Sequence, residues 1–301
     1  MRCRTLQREF ESVVRGRQIS TENPVSNGPV TDQGENLFNQ LQREIQRYPT
    51  LAVAISGGVD STTLASVAHT TLGNHALMLH AVSPAVPTDA TERVKAHAQR
   101  EGWKLTVLDA REFSDVKYRI NPVNRCYYCK SNLYTRIGDV WSGVVASGAN
   151  LDDLGDYRPG LSAAGEHDVV HPLIDAGIDK SGVRSLAAFL GLHDVAELPA
   201  QPCLSSRVET GIAIDPHDLV FVHRIESYLA SALGQGDIRC RISHNGVRIE
   251  IANCLIEANA NKWPDIKQTV ESMILSDNRL IAGFSTYQKG SAFIHTGSKC
   301  S

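Results

Sequence analysis

Residues 51 to 65 read Leu-Ala-Val-Ala-Ile-Ser-Gly-Gly-Val-Asp-Ser-Thr-Thr-Leu-Ala, an apolar run that stops at a turn of small residues and resumes as a helical pattern. A short, partly β-branched apolar run suits a strand covered on both faces, which requires a sheet with helices on each side. Ser56, Gly57 and Gly58 permit a sharp bend, because a residue without Cβ takes unusual dihedrals cheaply and lets another group approach the backbone. The N–H groups from Val59 to Thr62 open the helix without intrahelical acceptors and carry the positive end of its dipole, so the turn suits an anion. Ser56 and Ser61 add hydroxyl donors. An NTPase P-loop would need Gly-x-x-x-x-Gly-Lys-Ser/Thr, and this turn has no lysine. Asp60 adds negative charge to a phosphate site, which makes sense for an indirect ligand of a magnesium ion bridging phosphates.

The pattern around this turn alternates. Leu37, Leu41 and Ile45 recur at helical spacing; a helix over 61–71 precedes a strand over 76–82. Thr88 is expected to cap a helix carrying Asp89 and Glu92 in its first turn, before a strand over 104–108. A helix over 129–140, a strand over 143–146 and a helix over 181–190 complete the unit. Strands separated by helices imply an α/β fold with a doubly wound parallel sheet, whose ligands bind beyond the carboxyl ends of the strands. Three parts are expected: a loosely ordered polar arm over 1–35, the α/β domain over 36–200, and a smaller α+β domain over 201–301. In the last, Asp215-Pro216 starts a helix reaching 233. Strands over 238–243 and 247–251 follow, joined by Asn245-Gly246 as a two-residue turn. Trp263-Pro264 opens another helix, with strands over 279–284 and 292–296.

A net charge of −3 gives no bulk attraction to nucleic acid. No apolar run approaches the roughly 20 residues that span a bilayer, and the basic start lacks the apolar stretch of a secretory signal. Seven cysteines, an odd number, favour reduced thiols over a disulfide framework and thus a cytoplasmic location.

The string Ser-Gly-Gly-Val-Asp-Ser resembles the signature of the PP-loop ATP pyrophosphatases, HUP-like enzymes that split ATP into AMP and pyrophosphate while adenylating a substrate oxygen. A second motif narrows the likeness. Residues 147–175 contain Ser-Gly-Ala-Asn-Leu-Asp-Asp-Leu-Gly-Asp-Tyr-Arg-Pro-Gly and then His-Pro-Leu. As composition alone this is a solvated polar loop. Together with residues 180–192 it is similar to the LarE-type sulfur transferases, over about residues 36 to 290. The resemblance implies ATP and magnesium at Ser56, Gly57, Gly58, Val59, Asp60, Ser61, Gly148 and Asn150, and substrate contacts at Asp156 and Arg158. It further implies a nucleotide-like substrate, pyridinium-3,5-biscarboxylic acid mononucleotide, whose carboxylate is adenylated and then attacked by sulfur. A sulfide or other sulfur donor and a homo-oligomer are implied as well.

Cys126 and Cys129 form Arg-Cys-Tyr-Tyr-Cys-Lys, which places two sulfurs on one side of a turn or helix start; Arg125 and Lys130 beside them are expected to favour thiolate. The spacing alone fits a redox pair, half a zinc site or two structural cysteines, and no second pair supports zinc. Family members with these two and the cysteine matching Cys203 resemble enzymes in which three thiolates hold a 4Fe-4S cluster with one iron open; sacrifice of the Cys203 sulfur is the alternative. Cys240 and Cys254 are expected in the core, while Cys3 and Cys300 match no motif. The proposed turn sets Arg241 opposite Glu250 with Arg239 on the same face. By composition this is an ion pair; by resemblance Arg207, Arg239 and Arg241, with Glu226 and Glu250 less firmly aligned, face an anionic substrate. His171 is expected to make a structural hydrogen bond. Two other activities fit the same residues: a PP-loop thiolase acting on a nucleobase, nucleotide or tRNA, and an adenine-nucleotide-binding protein without turnover.

Overall fold

The computed structural model describes residues 29–155, 158–199 and 202–288. Helix α1 (Pro29–Ile45) leads into β1 (Leu51–Ala54), α2 (Val59–Leu72), β2 (Ala76–Val82), α3 (Thr88–Glu101) and β3 (Lys104–Asp109). A single turn, α4 (Val116–Arg119), precedes α5 (Arg125–Gly138) and β4 (Val145–Ser147). Helices α6 (Pro159–Glu166), α7 (Pro172–Asp175), α8 (Lys180–Phe189) and α9 (His193–Ala196) follow. The four strands are parallel in the order β3-β2-β1-β4. Side chains alternate along β1, so Leu51 and Val53 pack with Leu41, Ile45, Leu64 and Leu186, while Ala52 faces Leu79, Leu108, Leu133 and Ile137. Helices therefore cover both faces, as the uninterrupted apolar strand requires.

Beyond residue 202 come α10 (Pro216–Leu233), β5 (Ile238–Ser243), β6 (Gly246–Ile251), α11 (Asn253–Ala258), α12 (Trp263–Ser276) and β7 (Ile281–Thr286). The second sheet is mixed: β5 and β6 are antiparallel, β6 and β7 parallel. Leu219, Val222, Ile225 and Leu229 of α10 pack on Cys240, Ile242 and Ile249, and the same core takes in Ala85 and Tyr118, with Cys129 and Cys203 against its edge. Each fully buried leucine or isoleucine contributes roughly 1.5–3 kcal/mol.

Several boundaries differ from expectation. Helix α5 starts at Arg125, four residues before Cys129, so both cysteines of the pair lie in its first two turns. Thr88 is the first residue of α3 rather than its cap; Pro87 holds the cap position, and the Thr88 hydroxyl lies 2.9 Å from His223 Nε2. Strand β4 runs two residues later at its start than expected, and β7 is Ile281–Thr286. The hairpin turn sits one residue earlier than expected, which moves each cross-strand partner by two: Ser243 pairs with Gly246, so His244 and Asn245 make the turn, Arg239 faces Glu250, and Arg241 faces Arg248. Gly246 pairs in the ladder beside β7, where its φ of +111° and a Cβ 2.5 Å from the Leu280 carbonyl oxygen would strain any other residue. Cys240 is buried as expected, but Cys254 is exposed on α11. Of the arm expected over 1–35, residues 29–35 belong to helix α1, while residues 1–28, Asp156, the strand expected over 292–296, Cys3 and Cys300 lie outside the described residues.

Candidate active site

The turn after β1 is built from serines and glycines. Gly57 has φ +81°, and a Cβ there would lie 2.7 Å from the Ala90 carbonyl oxygen of α3. Gly58 takes the cap position of α2 without a side-chain cap, so the first N–H groups of that helix are not satisfied by a capping oxygen. Ser61 Oγ accepts from the Ser56 N–H at 3.1 Å and lies 3.0 Å from Ser56 Oγ, which closes the turn on itself. From behind, His80 is fully buried with Nδ1 2.9 Å from the Ile55 carbonyl and Nε2 2.9 Å from Thr91 Oγ1. A carbonyl only accepts, so Nδ1 donates and the neutral ring takes the Thr91 proton at Nε2.

The second motif lies beside this turn. A Cβ on Gly148 would sit 2.7 Å from the Ser61 nitrogen, so only glycine lets the chain leaving β4 pass the first turn of α2. Asn150, 3% exposed, donates from Nδ2 to Asp60 Oδ1 at 3.0 Å, and Lys180 Nζ donates to Asp60 Oδ2 at 2.5 Å. Asp153 accepts from the Asn150 N–H at 3.0 Å and pairs with Arg158 at 2.9 Å. His171 Nδ1 lies 2.8 Å from Ser147 Oγ, a hydrogen bond at the end of β4, and burial holds its pKa below the ordinary value. Lys180 was missed as a site residue because nothing in its local sequence points to Asp60.

The three thiols share one region. Cys129 and Cys203 pack against the same core, and Cys126 and Cys203 act on each other electrostatically. Desolvation by surrounding groups, then the Cys203 sulfur, pushes the Cys126 thiol above its ordinary range although its side chain keeps solvent exposure; burial pushes Cys129 up to about 12. The expectation that Arg125 and Lys130 favour thiolate is overturned, since desolvation outweighs their attraction. Tyr118, fully buried beside the thiols, bonds Ser205 Oγ at 2.6 Å, and burial raises its pKa as well. The Leu204 N–H donates to the Ala85 carbonyl at 2.9 Å, docking the Cys203 segment just past the carboxyl end of β2. Among the described residues no three His, Cys, Asp or Glu side chains are grouped to hold a metal ion.

Arg207 is buried and forks onto Glu226, with Nε and one terminal nitrogen each at 2.9 Å from a carboxylate oxygen. Its other terminal nitrogen donates to the Pro202 carbonyl at 2.6 Å, so it ties the Cys203 segment to α10. Arg239 is buried, stacks over the Tyr287 ring at 5.2 Å and donates to the Ile238 carbonyl at 2.7 Å. Arg241 reaches diagonally to Glu250 at 2.9 Å and to the Ser206 carbonyl at 3.0 Å. A cavity of about 270 Å³ opens here, lined among others by Arg207, Glu209, Arg241, Arg248 and Glu250. Arg248 is exposed and has no ion pair among the described residues, although it stands directly opposite Arg241. Like charges in register repel, and here Glu250 holds Arg241 while Arg248 turns to solvent.

No family profile matches the chain. Among curated proteins, an uncharacterized protein of Synechocystis is 40% identical over 224 residues, 72% of this chain and 80% of that one. The pyridinium-3,5-bisthiocarboxylic acid mononucleotide synthase of Lactiplantibacillus plantarum is 30% identical over 219 residues, 71% of this chain and 78% of the synthase. A component of the glutamine-hydrolysing GMP synthase of Methanopyrus kandleri is 26% identical over 178 residues, 53% of this chain and 55% of that one. With the phosphate turn at the carboxyl edge of a parallel sheet and this degree of likeness, the chain belongs to the PP-loop ATP-using enzymes, in the family of the pyridinium-3,5-bisthiocarboxylic acid mononucleotide synthase.

Proposed function

We propose that the protein is an ATP-dependent sulfur transferase that adenylates a substrate carboxylate and replaces its oxygen with sulfur. The acceptor is pyridinium-3,5-biscarboxylic acid mononucleotide in nickel-pincer cofactor synthesis. The observation that carries this is the pairing of a phosphate turn, completed by Asp60, Asn150 and Lys180, with three thiols gathered from segments 74 residues apart at the nearest. A carboxylate oxygen is a poor leaving group; transfer of AMP from ATP onto it releases pyrophosphate, and departure of AMP then lets sulfur take its place. Ser56 to Ser61 and Gly148 hold the phosphates, and Asp60 orients magnesium through its water shell. The cavity at Arg241 and Arg248 receives the acceptor phosphate, with Arg207, Arg239, Asp156 and Arg158 as further substrate-side residues.

Three cysteine thiolates are a donor set that suits a 4Fe-4S cluster and would leave one iron open. Cys126, Cys129 and Cys203 would hold it, and its open iron would supply bound sulfide as the nucleophile. Tyr118, fully buried, and Lys130 flank the thiols. The same reading divides the chain into 36–200 for ATP and 201–301 for the acceptor, and makes it a cytoplasmic homo-oligomer. No helix among the described residues is long and apolar enough to cross a membrane.

The test is AMP and pyrophosphate release with magnesium, ATP and sulfide, comparing the pyridinium mononucleotide with nucleobases and tRNA. Acceptor-dependent release with the pyridinium compound alone is expected. Release with a nucleobase or tRNA instead transfers the chemistry to the thiolase alternative, and no release in any arm leaves a binding protein.

A further inference from the structure

Asn121 sits at the junction of the two segments that carry the thiols. It is fully buried, and its φ of +55° is a left-handed conformation that asparagine tolerates better than most residues. Its side-chain nitrogen donates toward the carbonyls of Glu209 at 2.9 Å, Ile212 at 3.0 Å and Val208 at 3.3 Å. Its Oδ1 accepts a short hydrogen bond from Arg125, the buried residue immediately before Cys126. Its own carbonyl accepts from the Gly211 N–H at 3.0 Å. Parallel links run alongside: Tyr118 Oη to Ser205 Oγ at 2.6 Å, and the Ile214 N–H to the Arg119 carbonyl at 2.8 Å.

Segment 118–125 is thus stitched to 205–214, and Cys126 and Cys203 lie just beyond the two ends of the stitch. Only a side chain with both donor and acceptor serves here. Aspartate has no N–H for the three carbonyls, and an aliphatic residue would leave them and the Arg125 guanidinium unpaired in the interior. Apolar packing would also hold the segments together, but hydrogen bonds with narrow length and angle limits fix where one lies on the other.

We propose that Asn121 is a positioning residue that sets the spacing between Cys126 and Cys203, acting through Arg125 on one side and the 208–212 turn on the other. The inference rests on the reading of the thiols as one site, and its test needs no bound cluster. In the full-length chain, Cys3, Cys129, Cys254 and Cys300 are replaced by serine, leaving Cys126 and Cys203 reactive with Cys240 buried. Dibromobimane, which fluoresces only when both ends have reacted, then reports whether the two thiols are within its short span. Monobromobimane labels each thiol singly and corrects for reactivity, and ATP affinity reports on the phosphate turn.

The parent protein is expected to cross-link. In Asn121→Asp the cross-link yield, normalised to single labelling, falls about tenfold, as expected for loss of a buried hydrogen-bonded group, while ATP affinity is unchanged. Arg125→Met cuts the link to Asn121 along with Arg125's own contact to Cys126, whose effect on thiol reactivity the single labelling corrects for; it is expected to do the same, and decides the matter where Asn121→Asp does not fold. Unchanged cross-linking in the folded variant overturns the proposal. So does a loss of ATP affinity in step with the cross-link, which would mark general destabilisation. A parent that does not cross-link removes the shared thiol site itself, and the proposal with it.

Discussion

Asp60 Oδ2 accepts a hydrogen bond from Lys180 Nζ at 2.5 Å across 120 residues of sequence, while Asn150 holds the other carboxylate oxygen at 3.0 Å. On the proposed function, Lys180 beside Asp60 would offer its positive charge to the phosphates of bound ATP and to the leaving pyrophosphate. Lys180→Met is expected to lower kcat for AMP formation by about 10- to 100-fold, the range for loss of one charged transition-state contact, with the fold intact by circular dichroism. A KM change with kcat preserved would show that the lysine only helps binding.

Among the described residues Arg248 makes no ion pair, whereas Arg207 pairs with Glu226 and Arg241 with Glu250, so in this cavity, which Glu209 also lines, Arg248 is the arginine open to a ligand. Arg248→Gln should weaken binding of a pyridine mononucleotide by about tenfold, the scale of one charge-assisted hydrogen bond, and leave its dephosphorylated nucleoside unaffected. Calorimetry with both ligands checks this; equal losses for the two would mean that the phosphate does not bind there.

Glu226 accepts both Arg207 nitrogens and the Cys240 N–H at 2.8 Å, so three buried donors depend on one carboxylate. Glu226→Ala strands the Arg207 charge and is expected to cost about 3–5 kcal/mol in denaturant unfolding. A loss under about 1 kcal/mol, the scale of an exposed pair, would show that water or another acid takes over.

Burial holds His80, His97 and His171 below their ordinary pKa, so the native state keeps them neutral. The unfolded chain binds these protons first as pH falls below about 6.5, so stability is fully present above that pH and declines as the solution becomes more acidic. The melting temperature should drop between about pH 7.5 and 5.5, on either side of the ordinary histidine value, and by less in His80→Gln, which cannot take up the proton. An equal drop in both proteins would exclude His80 from the effect.

The phosphate turn was legible because its signals are local: a buried strand, two glycines and a helix start fall within a dozen residues. The doubly wound sheet was legible for the same reason, since β1 alternates between two cores. The hairpin turn was read one residue out, because Asn-Gly is a strong turn signal and the pairing of β6 with β7, including the Val247 N–H to the Leu280 carbonyl, comes from residues more than 30 positions away. That slip hid Arg248, which only the correct register sets against Arg241. Lys180 and Asn121 act at similar distance, through side-chain bonds spanning 120 and up to 91 residues, and no periodicity records such partners. The thiol pKa directions were misjudged because flanking charges are visible in sequence and desolvation is not.

The most direct measurement is the mass of the acceptor after anaerobic incubation with ATP, magnesium and isotopically labelled sulfide, in the native protein and in Cys126→Ser, Cys129→Ser and Cys203→Ser. The account predicts labelled sulfur in place of carboxylate oxygen with the native protein, loss of that product in each variant, and AMP release that persists without the thiols. Unlabelled sulfur in the product, with Cys203 converted to dehydroalanine, would contradict the cluster and identify that residue as the donor. ATP splitting with the acceptor oxygens intact in the native protein would contradict sulfur transfer altogether.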